Sequence, residues 1–347
     1  MDHAIYGRVL QGEAAQLDSA LQRFQNQPVD WEWMPVQSSE PDRRTTIGAA
    51  VNVTGPGTYF RRAQRTLYFE PTTKEGWWFD RTDLPESLPI RVTAANVWTT
   101  QRNIVLCSGS PHNYMRMVEH IVALKRGLSI DNLMIRMNSG DPPLFERGSL
   151  DLVEAFDRAG LQMLDQPASY VTVRQPVSIA GPRGSFLIVR PCTAARATLD
   201  LDVAVDFQTA IRQQRLRIRL TPETARYGAP ARTNCTYLQM LLARSAGTLF
   251  ADTRNMGYTN KNILIAGRHG YVNQPRMEHN GKALEAVWHR TILDLLAAIA
   301  LIDGGRFVGE VWSYKSGHSL DVNLVRHLDW HDLLTPFHPT ESNRTTP

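Results

Sequence analysis

The chain has 347 residues, of which 42% are hydrophobic and 21% charged, with a formal net charge of +4. At roughly 150 residues per domain that length suggests about two domains, and the composition excludes fibrous, disulfide-scaffold and disordered classes. No apolar run approaches the roughly eighteen residues of a membrane-spanning helix.

The start, Met1-Asp2-His3-Ala4, carries neither the basic nor the apolar region of a secretory signal, so a cytoplasmic location is expected. Cys107, Cys192 and Cys235 lie far apart with no CxxC pair, which fits a reducing compartment and argues against a four-thiolate zinc site. The positive excess is spread along the chain instead of forming a block, so no nucleic-acid partner is expected. A polyanionic small molecule fits the same mild excess.

Leu10, Ala14, Leu17, Leu21 and Phe24 recur at helical spacing, and a stretch with Pro28, Pro35 and Pro41 follows. Residues 1–44 therefore read as a helix and linker added at the N-terminus. From 45 to 166, strand-like runs at 49–53, 64–69, 90–92 and 103–107 alternate with helix-like runs at 114–126 and 150–159. From 167 to 335 the order repeats, with strands at 170–173, 177–179, 186–189, 198–207, 214–220 and 263–265 and helices near 237–246 and 284–302. Each half is sheet plus helices, an α+β pattern seen twice. The helix at 284–302 is apolar nearly all round after Asp294 and must be buried. Residues 336–347 read as a frayed tail.

The most informative segment is Val118-Glu119-His120-Ile121, an acid beside a histidine in an otherwise apolar helix. Burying such a pair without partners is costly, so it is either a structural ion pair or bound to metal. In the second case the glutamate is well placed to take a proton from a water that the metal polarises. A second cluster is His289-Arg290-Thr291-Ile292-Leu293-Asp294, and a third is Lys315-Ser316-Gly317-His318, whose bland reading is a hydrogen-bonded turn. His327 and His331 sit at i, i+4 but lack a neighbouring glutamate, and read as a solvated face. No phosphate-binding glycine motif or serine elbow is present.

Taken together, these histidine segments resemble the zinc-dependent UDP-3-O-acyl-N-acetylglucosamine deacetylases of lipid A synthesis, over roughly residues 46–330. Leu128-Ser129-Ile130-Asp131-Asn132 is similar to that family's GIDN segment. Asp141-Pro142-Pro143-Leu144-Phe145-Glu146-Arg147-Gly148-Ser149 is similar to its acidic Gly-Ser loop, and Leu220-Thr221-Pro222-Glu223 and Ala231-Arg232-Thr233 add further matches in order. The resemblance implies two similar two-layer α+β domains packed face to face, with Zn2+ held between them. It implies His120, His289 and Asp294 as ligands, Glu119 as general base, and Thr233 and His318 as oxyanion or proton-donating groups. Lys315 and Arg290 become candidates for the diphosphate of a UDP-linked acyl amino sugar. A monomer is expected, with transient contact at a membrane surface through the acyl chain of the substrate.

The family's second histidine and aspartate stand at i and i+4, whereas His289 and Asp294 stand at i and i+5. At about 100° per residue, positions five apart diverge by about 140° in a regular helix. Two readings follow. A π-bulge would bring both residues to the metal. A regular helix would put Arg290 on the face of Asp294 and leave a catalytically impaired homologue, a nucleotide-sugar or acyl-lipid binder or an interaction partner. Ala298 stands where the family has an aspartate supporting the catalytic histidine, and Gly57-Thr58-Tyr59 and Asn234 fall where it has acyl-chain contacts.

Overall fold

The structure, a computed structural model, describes residues 5–36, 40–58, 63–101, 103–236, 238–239 and 259–340. The helix expected near 237–246 falls almost entirely outside them. Helices and strands are mixed throughout, an α+β fold.

Residues 8–33, expected to stand apart as an extension, form β1 (Arg8–Gln11), α1 (Ala14–Asn26) and β2 (Trp31–Trp33). The next block builds a five-stranded sheet from β3 (Val51–Pro56), β4 (Gln64–Glu70), β5 (Trp77–Arg81), β6 (Ile90–Arg91) and β7 (Leu133–Met137). Its spatial order is β3-β4-β7-β5-β6, with only β7 and β5 parallel. Side chains alternate along β4: Leu67 and Phe69 are buried, whereas Tyr68 between them is 50% exposed. One face of this sheet therefore meets the core and the other meets water.

The sequence predicts a helix over 114–126, but α2 begins only at Glu119 and runs to Gly127. Tyr114–Met115 is a short strand instead, and Met117 adopts a left-handed φ of 50°, which interrupts any helix approaching from that side. The α3 helix (Leu150–Ala159) lies where its periodicity predicts.

The second sheet has seven strands: β8 (Val177–Ala180), β9 (Phe186–Arg190), β10 (Leu199–Asp206), β11 (Gln213–Arg219) and β12 (Gly309–Tyr314), flanked by β1 beside β8 and β2 beside β11. The N-terminal segment thus supplies both edge strands, each in parallel pairing. Phe186 and Ile188 of β9 pack with Leu17, Leu21 and Phe24 of α1, while Leu187 and Val189 point into the main core. Successive strand residues face opposite sides, so a strand apolar at four consecutive positions needs cover on both, and α1 provides one of the two.

The other face carries the long helix α5 and then α6 (His318–Trp330); the short α4 (Pro222–Gly228) precedes both in the chain and touches α2 and α5. The α5 helix starts at Glu285 and ends at Ile299, and its middle, Arg290–Leu295, is π-helical. It packs against α2, and one apolar core runs from the five-stranded sheet through these helices to the seven-stranded one. No helix among the described residues is long and apolar enough to cross a membrane.

Candidate active site

The π-turn decides between the two readings of α5. Its bonds run from i to i+5, so residues five apart share a face. His289 Nδ1 lies 3.5 Å from Asp294 Oδ2. The added residue is housed at Thr291, fully buried, whose hydroxyl donates to the carbonyl of Val287 at 2.7 Å.

Glu119 and His120 open α2 and face this pair. His120 Nε2 is 3.0 Å from His289 Nε2, and the Ser149 hydroxyl donates to the carbonyl of His120 at 2.8 Å, fixing the helix start from the neighbouring loop. Glu119 accepts the backbone N–H of Ile104 at 3.2 Å. Thr233 opens a strand at Thr233–Thr236, and its Oγ1 is 2.8 Å from His289 Nε2. His318 begins α6 and sends Nε2 to 3.6 Å from Asp294 Oδ1 and 3.7 Å from Glu119 Oε1. Glu119, His120, Thr233, His289, Asp294 and His318 are therefore drawn from four elements into one cluster.

Burial sets their protonation. His120 is pushed down to about 3 by desolvation and then by neighbouring His289, so it is a free base at neutral pH. Desolvation pulls Glu119 upward, partly offset by His318. Asp294 also feels desolvation, but His289 and His318 together outweigh it and hold the carboxyl well below its usual range. His318 is desolvated as well, yet the carboxylates of Asp294, Glu119 and Asp321 raise it, so it keeps its proton more readily than a free histidine. A carboxylate whose proton affinity is raised thus stands beside an imidazole that holds on to its proton.

Two imidazoles and a carboxylate are a donor set that suits zinc. Two nitrogens on one tetrahedral zinc lie roughly 3.4 Å apart, close to the 3.0 Å between His120 and His289. Asp294 meets His289 at its Nδ1 edge, and no group of three such side chains among the described residues stands in closed ligating geometry.

His289, Asp294 and His318 of the cluster line a cleft of about 790 Å³ whose walls include Phe207, Asn234, Arg183 and Lys315. Lys315, at a left-handed φ of 51°, holds Nζ 3.9 Å from Asp206. Arg290, by resemblance a candidate for the diphosphate, lines the same cleft but is held in an ion pair. Its guanidinium is nearly inaccessible, and Nη2 donates to Asp321 and Ser316 at 2.5 Å and to Ser313 at 3.3 Å. The π-turn that joins His289 to Asp294 turns Arg290 toward Asp321 of α6. His327 and His331 stack with rings 5.6 Å apart near the end of α6, away from this cluster.

Asp321 escaped the sequence reading. Its signal is an acid flanked by Leu320 and Val322, one turn after His318. Phe207, at the end of β10, gave no distinguishing signal.

Fold and site define an α+β enzyme whose histidines and carboxylates gather where α2 meets α5. A sequence model of the LpxC family, described as UDP-3-O-acyl N-acetylglycosamine deacetylase, matches residues 44–329, and the chain belongs to that family. It is 27% identical over 258 residues to the UDP-3-O-acyl-N-acetylglucosamine deacetylase of Syntrophus aciditrophicus, covering 74% of this chain and 76% of that protein. It is 28% identical over 267 residues to the enzyme of the same name from Bdellovibrio bacteriovorus, covering 76% and 82%. A third such relative, from Trichormus variabilis, is 26% identical over 294 residues, with 82% and 98% covered.

Proposed function

We propose that the chain is a zinc-dependent deacetylase that hydrolyses the acetamide of an acylated UDP-N-acetylglucosamine. The observation that carries this reading is the meeting of Glu119, His120, His289, Asp294, Thr233 and His318 in one cluster, of which His289, Asp294 and His318 line the cleft.

His120, His289 and Asp294 would hold the ion, which when bound supplies a Lewis acid for the amide carbonyl and for the attacking water. Glu119 takes a proton from that water as its oxygen bonds to the carbonyl carbon. Thr233 donates to the oxygen that gains charge, and protonated His318 stabilises it or gives its proton to the amine nitrogen as the C–N bond breaks. One water is consumed; acetate and the free amine leave. Lys315 suits the diphosphate of the nucleotide, since a fixed cation at the cleft wall matches phosphate oxygens.

The reading is tested by incubating purified protein with UDP-3-O-acyl-N-acetylglucosamine and following acetate and free amine together. Equal release of both, abolished by a chelator and restored by zinc, is the expected result. Binding of the nucleotide sugar without release of acetate would overturn it in favour of an impaired homologue that only binds.

A further inference from the structure

His318 presents Nε2 to the carboxylates of the cleft, but a histidine that must present one nitrogen in a fixed state needs its other nitrogen held. Its Nδ1 is buried and meets no hydrogen-bond partner among the described residues. One turn along the same helix, Asp321 is wholly inaccessible, and its Oδ2 is likewise buried without a partner. Positions three apart on a helix are neighbours on one face. The two side chains are close enough for each charge to act on the other.

The other half of Asp321 is firmly held. Oδ1 accepts from Arg290 Nη2, and the same nitrogen reaches the Ser313 and Ser316 hydroxyls, which bond to one another at 2.7 Å. Asp321 borders a small apolar void that Ala298 and Leu295 also line, so the methyl of Ala298 leaves space on the α5 side of the carboxylate. A buried carboxylate with one oxygen anchored and the other unfilled is costly unless the second oxygen has work nearby.

We propose that Asp321 is the positioning residue of His318: Oδ2 accepts the Nδ1–H of the imidazole, and Arg290, braced by Ser313 and Ser316, holds the carboxylate for that purpose. The two buried atoms form no hydrogen bond or ion pair as they stand, so a rotation of the side chains or one bridging water would have to join them. The bond fixes the tautomer and direction that aim Nε2 into the cleft. This inference rests on the reading of His318 as the oxyanion or proton-donating group.

The test uses full-length protein labelled with 15N-histidine, in wild-type form and as Asp321→Asn, with His318→Ala to assign the ring signals. Wild-type protein is expected to show a His318 Nδ1 proton slow to exchange with water, and Asp321→Asn to lose it. In the deacetylase assay Asp321→Asn is expected to lower kcat by about ten- to hundredfold, with KM and bound zinc unchanged and part of the loss restored in Asp321→Glu. Should Asp321→Asn fail to fold, Arg290→Met/Asp321→Asn removes the unpaired cation and is read the same way. Retention of the protected Nδ1 proton would overturn the proposal, as would a fall in kcat and KM together that tracks lost thermal stability. The ring signal needs no substrate, so absent turnover in wild-type protein would count against the deacetylase reading and leave this inference to be judged by the spectrum.

Discussion

His289 and Asp294, five residues apart in the chain, face one another at 3.5 Å because a π-turn occupies Arg290–Leu295. If both hold zinc, Asp294→Ala should cost at least about tenfold in zinc affinity, since loss of a ligand exceeds the ten- to hundredfold typical of a supporting residue. Competition with a chelator measures this, and an unchanged affinity would remove Asp294 from the ligand set. Deleting Thr291 should bring no gain, because the bulge already aligns the pair; a gain would mean that the helix is regular in solution.

Glu119 separates a catalytic from a structural role. Glu119→Gln keeps the size of the side chain and an acceptor for Ile104 N–H but cannot take a proton. Turnover is expected to fall by about 10²–10⁴-fold with zinc content preserved. Full activity in this variant would show that another group accepts the proton.

Arg290 tells a wall residue from a ligand for phosphate. Breaking its pair with Asp321 leaves a carboxylate buried and unpaired, so Arg290→Ala should destabilise the fold by about 3–5 kcal/mol, measured by urea denaturation. A phosphate contact at the cleft surface would instead raise KM and leave stability alone.

The N-terminal segment is expected to be inseparable from the second sheet. Deleting residues 1–36 uncovers the partners of Leu17, Leu21 and Phe24, each worth roughly 1.5–3 kcal/mol when buried, and frees two sheet edges. Size-exclusion chromatography should show aggregation of the truncated protein. A monomeric, stable product would mean that the sheet closes without it.

The pH dependence of the metal-free protein follows from His120. Its native pKa of about 3 lies below the unfolded value of 6.5, so the unfolded state binds the extra proton between those limits. Stability is therefore complete above about 6.5 and falls as the pH drops toward 3. His318, raised in the native state, acts with the opposite sign: its contribution is present below 6.5 and is lost as the pH rises through its native value. His120→Gln should flatten the acid side of a plot of melting temperature against pH, and an unchanged slope would mean that His120 is solvated.

Much of the fold was legible because its signals are local. The period of α3, the apolar run of β9, the alternation of β10 and the all-round apolarity of the end of α5 each follow from nearest-neighbour chemistry and burial. The segments Glu119-His120, His289 through Asp294 and Lys315 through His318 were legible as chemistry because charged and titratable groups inside apolar stretches require partners. Which of these groups would bind zinc, accept a proton or donate one was implied by the resemblance to the deacetylase family, not by residue type alone. Whether His289 could share a face with Asp294 was not legible, since a π-turn and a regular helix use the same residues and differ in how the core around Thr291 accommodates one more. The roles of Arg290 and Asp321 were hidden for a related reason, as their partners lie 31 residues apart and meet only when α6 packs on α5. The place of the N-terminal segment was decided in the same way: a helical period shows that α1 has an apolar face, but only the second sheet, with both faces needing cover and both edges needing strands, determines what that face is for.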